Sequence, residues 1–343
     1  MKRYQNNILL DTLSGVDTHR PPVWLMRQAG RILPQYRRVR ASLSGFKELV
    51  STPDLVAEVT IQPVDELQVD AAIIFSDILV IPEAMGLDYE MIEKKGPHFP
   101  KVIGSKMDVL ALNEGEDAAE KLQYVYQGIS TTKKDLSDRV PLIGFSGSPF
   151  TLLCYMIEGQ GSKTFSKAKK LLYREPQTAH ILLEKITNTI IAYLHKKIDN
   201  GVDAIQLFDS WAGVLDKNTY GTFCIPYIQT ICNSIQKRVP VIIFSKGAWF
   251  SLEDIINIGS AAVGLDWNIS PKHARSVSNE TIFQGNLDPC VLYGQEEDIR
   301  RTTINMIKAF GKKHIVNLGH GVYPDTPLTG VKTFVRTVKD FSY

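Results

Sequence analysis

Between residues 21 and 40 the chain reads PPVWLMRQAGRILPQYRRVR, with arginines at 27, 31, 37, 38 and 40. No Asp or Glu occurs between Asp17 and Glu48. A guanidinium stays charged at any physiological pH and forks onto carboxylates and phosphates. Arg27 and Arg31 flank Gln28-Ala29-Gly30 among Trp24, Met26, Ile32 and Leu33. An unpaired charge is costly in apolar surroundings. Two arginines four positions apart there can grip two anionic groups, whereas Arg37 and Arg38 read as a solvated basic loop. The formal net charge is only +2, too small an excess for a dedicated nucleic-acid binder. The patch therefore reads as a local site.

Other polar residues follow short apolar runs. Asp77 follows AAIIFS, and Ser146 sits in GFSGSPFT. Asp209 and Ser210, Ser245 and Lys246, Asp266, Asn286 and Asp288, and His320 between two glycines repeat the pattern. Each has an ordinary explanation. Asp77 can cap a helix or pair with an arginine, and Ser210 can also cap. Tyr155, in TLLCYMIEG, fits a core tyrosine, and His320 fits a loop histidine. Lys246 fits a surface amine or a Schiff-base lysine. No GxxxxGK[ST], GxGxxG or HExxH pattern occurs, and GFSGS is out of register with a nucleophile elbow. The four cysteines form neither CxxC nor a His–x–Cys pair, which argues against a zinc cluster or a disulfide framework. The side chains on offer are arginine, carboxylate, phenol, hydroxyl and imidazole, with no metal and no cofactor in view.

Something must bring these residues to one place. Apolar runs at 23–26, 71–76, 142–146, 204–208, 241–244, 262–265, 281–284 and 314–318 read as strands buried on both faces. Amphipathic helical patterns at 117–136, 178–200, 219–237, 296–310 and 330–341 lie between or after them. Alternating strands and helices predict a parallel sheet, and eight strands predict closure into a single (β/α)8 TIM-type barrel spanning 1–343. Active residues of that fold gather where strands end. The stretch after the second strand is too long for a simple crossover. Its MIEKKGPHFPKVIG segment predicts a hairpin or excursion. No run approaches a membrane span and the N-terminus carries no signal-peptide pattern. The expectation is a cytoplasmic protein that binds neither membrane nor nucleic acid.

Taken together the blocks VWLMRQAGRILPQY, AAIIFSDILVIPEAMG, GFSGSPFTLLCYMIEG, LFDSWAGVL, QGNLDP and NLGHGVYPDTP resemble the uroporphyrinogen decarboxylase family, in the same order and over nearly the whole chain. The resemblance implies a single (β/α)8 barrel, usually a homodimer. It also implies removal of four acetate carboxyl groups from uroporphyrinogen III to give coproporphyrinogen III in haem synthesis, without metal or organic cofactor. It assigns carboxylate binding to Arg27, Arg31 and Arg40, and places the backbone of Gln28, Ala29 and Gly30 on the same wall. Asp77 would accept hydrogen bonds from pyrrole N–H groups with Tyr155 beside it, and Ser210 and His320 would contact side-chain carboxylates. Arg27 and Asp77 would be the catalytic pair. The chain departs from the family pattern at Gln35, commonly Glu, and at Trp211, sometimes His. Rival readings are a tetrapyrrole binder without turnover, a barrel methyltransferase lacking its zinc motif, and a lyase built on Lys246.

Overall fold

A computed structural model of the chain describes residues 4–92 and 95–343. Seven parallel strands form one curled sheet: β1 (Ala72–Ile73), β4 (Leu142–Gly147), β5 (Ala204–Asp209), β6 (Val241–Ser245), β7 (Ala262–Gly264), β8 (Phe283–Leu287) and β9 (His314–Leu318). Nearly every residue of these strands is buried, as a sheet covered on both faces requires. An antiparallel hairpin, β2 (Glu90–Ile92) with β3 (Gly96–His98), stands apart from the sheet. It falls within the excursion that the sequence places after the second strand.

The first predicted strand, at 23–26, is reduced to a single parallel bridge, Val23 with Val316. Its residues still complete the ring. Val316 N–H donates to Pro22 O at 2.8 Å, and Asp70 N–H donates to Val23 O at 2.8 Å. Pro21 and Pro22 have no N–H to give, and Met26 N–H donates to the Asn317 side chain at 3.2 Å rather than to a neighbouring backbone. Side chains fasten this stave where the ladder fails. Arg20 grips Asp70 with two bonds of 2.7 Å, and Asp70 also accepts from Val23 N–H at 2.8 Å and the Asn6 amide at 2.7 Å. Inside the barrel Trp24 Nε1 donates to Gln284 at 3.0 Å, and Gln284 donates to Gln206 at 2.9 Å.

Other boundaries moved for local reasons. The strand expected at 281–284 starts instead at Phe283, because Thr281 is held in a turn by Ser278 Oγ, which its N–H reaches at 3.1 Å. The helix expected at 219–237 is two helices, Lys217–Phe223 and Ile225–Ile235, broken at Cys224 just before Pro226. Proline supplies no N–H to continue the first helix and suits the first turn of the second. The pattern at 117–136 is likewise interrupted by a tight turn at Glu120–Leu122 before the helix Gln123–Leu136. The longest helix, Pro176–Asp199, begins on proline and stops at Gly201, whose φ of +109° suits glycine. Helices pack against the sheet from outside.

Candidate active site

The carboxyl ends of the strands open into a cavity of about 610 Å³. Arg27, Ala29, Gly30, Arg31, Asp77, Ser210 and His320 all line it. They come from the turn after the first stave, from the segment after β1, and from the ends of β5 and β9. Residues some 290 positions apart in the chain thus share one chamber.

Three expected residues do not line it. Gln28 is fully buried behind the wall, its Oε1 accepting from Leu25 N–H and its Nε2 donating to Ala71 O, each at 3.0 Å. It fixes the turn that presents Arg27. Tyr155, on the helix Pro149–Glu158, sits one layer back, with its ring edge-on to Trp211 at 6.1 Å and to Phe165 at 6.2 Å. Arg40, on the helix Pro34–Ala41, lies near Tyr36 and Glu48 and outside the chamber lining. Gln35 donates to Glu66, away from the cavity.

Sequence reading missed the apolar lining. Phe75, Phe145, Phe208 and Phe244 all face the chamber. Phe145 and Phe208 meet edge-on at 5.7 Å, as do Phe208 and Phe244 at 6.2 Å. Each sits one residue before the polar strand end, in IIFSD, GFSGS, LFDS and IFSK. That repeat was the available signal. Tyr36, Phe46 and Tyr323 add further rings, and Met91, Gly96 and Pro97 bring the hairpin over the same space. Loops that arrive from distant sequence leave no periodic trace.

Asp77 is the one acidic residue among the described lining residues. Asp77 is half-buried and lines the chamber. Burial pushes its pKa up from the ordinary carboxylate value. The N–H groups of Leu79 and Ile78, the Arg27 charge and the Tyr89 hydroxyl pull the other way. The Leu79 bond is 2.9 Å long. His320 is pushed down to about 3 by burial first, then by the charges of Arg27 and Lys246. It is therefore neutral near pH 7 and can both donate and accept. Lys246 is lowered by burial, with Asp266 opposing. Behind Ser210, buried Asp209 accepts from Thr151 at 2.7 Å and Tyr220 at 3.0 Å, which locks the end of β5. Among the described residues no three His, Cys, Asp or Glu side chains group closely enough to hold a metal ion.

The chamber thus offers an aromatic floor, one carboxylate reaching inward, and two guanidinium groups on one wall. Such a surface suits a flat apolar body that carries N–H groups at its centre and acidic groups at its edge.

The family profile described as uroporphyrinogen decarboxylase (URO-D) matches residues 4–341. The uroporphyrinogen decarboxylase of Christiangramia forsetii is 46% identical over 339 residues, covering 98% of this chain and 99% of that one. That of Chlorobaculum parvum is 48% identical over 347 residues, covering 98% of each. That of Schizosaccharomyces pombe is 43% identical over 349 residues, covering 97% of each. Among solved structures a methyltransferase from Methanosarcina mazei superimposes with a TM-score of 0.84 over 99% of both chains at 19% identity, a likeness of fold.

Proposed function

The chain belongs to the uroporphyrinogen decarboxylase family, and on that premise we propose that it converts uroporphyrinogen III to coproporphyrinogen III by removing four acetate carboxyl groups, without metal or organic cofactor. The observation that carries this reading is the placement of Asp77, a single carboxylate at the heart of an aromatic-walled chamber with Arg27 and Arg31 on its wall. The substrate has four pyrrole N–H groups around its centre and eight carboxylates around its edge.

A pyrrole acetate loses CO2 only when an electron sink is available. Protonating a pyrrole ring carbon creates an iminium-like cation, which is that sink. The C–C electron pair of the departing carboxylate then flows into the ring as CO2 leaves. A proton added to the resulting exocyclic carbon forms the methyl group, and loss of the proton first placed on the ring carbon restores the neutral pyrrole. Asp77, ionised once pyrrole N–H groups donate to it, stabilises the intermediate cation by preorganised charge. In the free chamber burial works against that ionisation. Substrate binding therefore supplies the partners that the carboxylate lacks.

Arg27 and Arg31 take edge carboxylates, with Arg40 further out, and neutral His320 and Ser210 add hydrogen bonds. Tyr155 supports Asp77 from the second layer. A guanidinium, with a pKa above about 12 in water, is a weak acid. The ring proton comes from Arg27, from a substrate carboxylic acid or from water. The active form is proposed to be a homodimer of single-domain chains in the cytoplasm. Among the described residues no helix is long and apolar enough to cross a membrane.

The test is anaerobic incubation of purified protein with uroporphyrinogen III in the presence of a chelator, followed by oxidation and chromatographic counting of carboxyl groups. Stepwise seven-, six-, five- and four-carboxyl products are expected. Tetrapyrrole binding without product would replace the proposal with a binder.

A further inference from the structure

Several glycines in this fold are small because backbone passes close by. A methyl group on Gly330 would lie 2.0 Å from Leu292 O, and one on Gly319 would lie 2.5 Å from Trp267 N. Gly321 is different. Its backbone is not in the left-handed region, so its conformation suits alanine as well. The atoms nearest to a methyl there are Arg27 Cδ at 2.4 Å, Arg27 Cγ at 2.7 Å and Arg27 Nε at 3.0 Å. The space kept open at Gly321 is the space that the arginine stem fills.

Arg27 is also pinned from its own side. Its φ of 63° is left-handed, an uncommon state for a residue with a β-carbon. Val322 N–H donates to Met26 O at 3.0 Å, so the residues beside Arg27 and Gly321 are bonded to each other. The loop after β9 therefore forms a bed on which the arginine stem lies, with His320 at its edge.

We infer that Gly321 is a positioning residue for the decarboxylation: its missing side chain lets the Arg27 stem lie flat on the loop and aims the guanidinium into the chamber. This rests on the reading that Arg27 grips a substrate carboxylate. Added bulk at 321 meets the middle of that side chain before any other atom outside its chain neighbours. A side chain has no way to yield at Cγ and Cδ without redirecting its end group.

The experiment is a cycle of Gly321→Ala, Arg27→Ala and the double variant, read both as kcat and KM for uroporphyrinogen III and as Tm. Gly321→Ala is expected to lower kcat/KM on the order of 100-fold, the usual penalty for a reacting group misplaced by about 1 Å. The double variant should be no worse than Arg27→Ala by more than about threefold, because the two changes act through one side chain. Any Tm lost in Gly321→Ala should return in the double variant, where the stem is gone. Losses that multiply, or a Tm that stays low in the double variant, would overturn the inference. So would full activity in Gly321→Ala beside a crippled Arg27→Ala. Full activity in Arg27→Ala would remove the reading of Arg27 itself, and the inference with it.

Discussion

Replacing Arg20 by alanine tests how the stave that carries Arg27 is held. The Arg20 and Asp70 side chains are 9% and 1% exposed and form a two-bond pair at 2.7 Å. Removing one partner of such a pair leaves the other charged and buried, at a cost of about 3–5 kcal/mol. Unfolding entropy of about 2.1 cal/mol/K per residue over 343 residues converts that cost into a fall in Tm of roughly 4–7 °C. Arg20→Lys should recover only part of it, since an ammonium cannot match both oxygens. Arg20→Met combined with Asp70→Asn should recover most of it. That pair removes both charges and leaves an amide oxygen to accept from Val23 N–H. Urea unfolding and thermal melts of the four proteins measure these differences, and kcat/KM reports whether Arg27 has lost its place. A loss below about 1 kcal/mol in Arg20→Ala, the range of exposed pairs, would refute the argument that this pair anchors the stave.

Asp77→Asn should lower kcat on the order of 100- to 1000-fold, the scale for losing one preorganised electrostatic group; near wild-type turnover would sink the role given to this carboxylate. The same variant should be no less stable at pH 7. A carboxyl whose folded pKa is raised loses folding free energy as pH climbs from its unfolded value through its folded one, and the amide is spared that loss; a clear drop in Tm would contradict the sign. In Arg27→Ala the acidic limb of the pH–kcat/KM profile should move to higher pH, because one of the groups that pulls the Asp77 pKa down is gone; a limb that moves to lower pH would refute the coupling. Lys197 is fully buried, its amine bonded to Phe145 O at 2.7 Å, and burial pushes its pKa well below the ordinary lysine value. Between that lowered value and about 10.4 the unfolded chain binds a proton that the native state does not, so stability rises with pH. Lys197→Met should reduce that rise between pH 7 and 10 in urea titrations, and an unchanged slope would show the amine to be charged in place.

Much of this architecture was legible because buried parallel strands write themselves as unbroken apolar runs. The runs at 142–146, 204–208, 241–244 and 314–318 lie within β4, β5, β6 and β9 with at most one residue added at the end. The first stave misled for the same reason. Val23 to Met26 are as apolar as a strand because they are as deeply buried, yet hydrophobicity reports burial and not ladder bonding, and the prolines before them forbid more ladder. At the site, chemistry-bearing residues at strand ends stood out against apolar neighbours. Gln28 was expected on the same wall only through its backbone, from the family resemblance, and it is instead buried with its side chain holding the turn. Phe75, Phe145, Phe208 and Phe244 look like core residues when read one at a time, and only their shared place one residue before a polar strand end sets them apart.

The thinness of the first stave also governs when the site comes into being. Met26 and the Asn317 side chain that receives its N–H are 291 positions apart, and Trp24 and Gln284 are 260 apart. A growing chain emerges from the ribosome N-terminus first, so Arg27 is among the earliest parts of the site to be synthesised. It nevertheless has nowhere to dock until β8, β9 and the loop behind them have followed. Closing so long a loop is entropically slow, and one backbone bridge offers little reward before the side-chain anchors engage. The residue proposed to grip substrate is thus synthesised well before the strands and the loop that seat it.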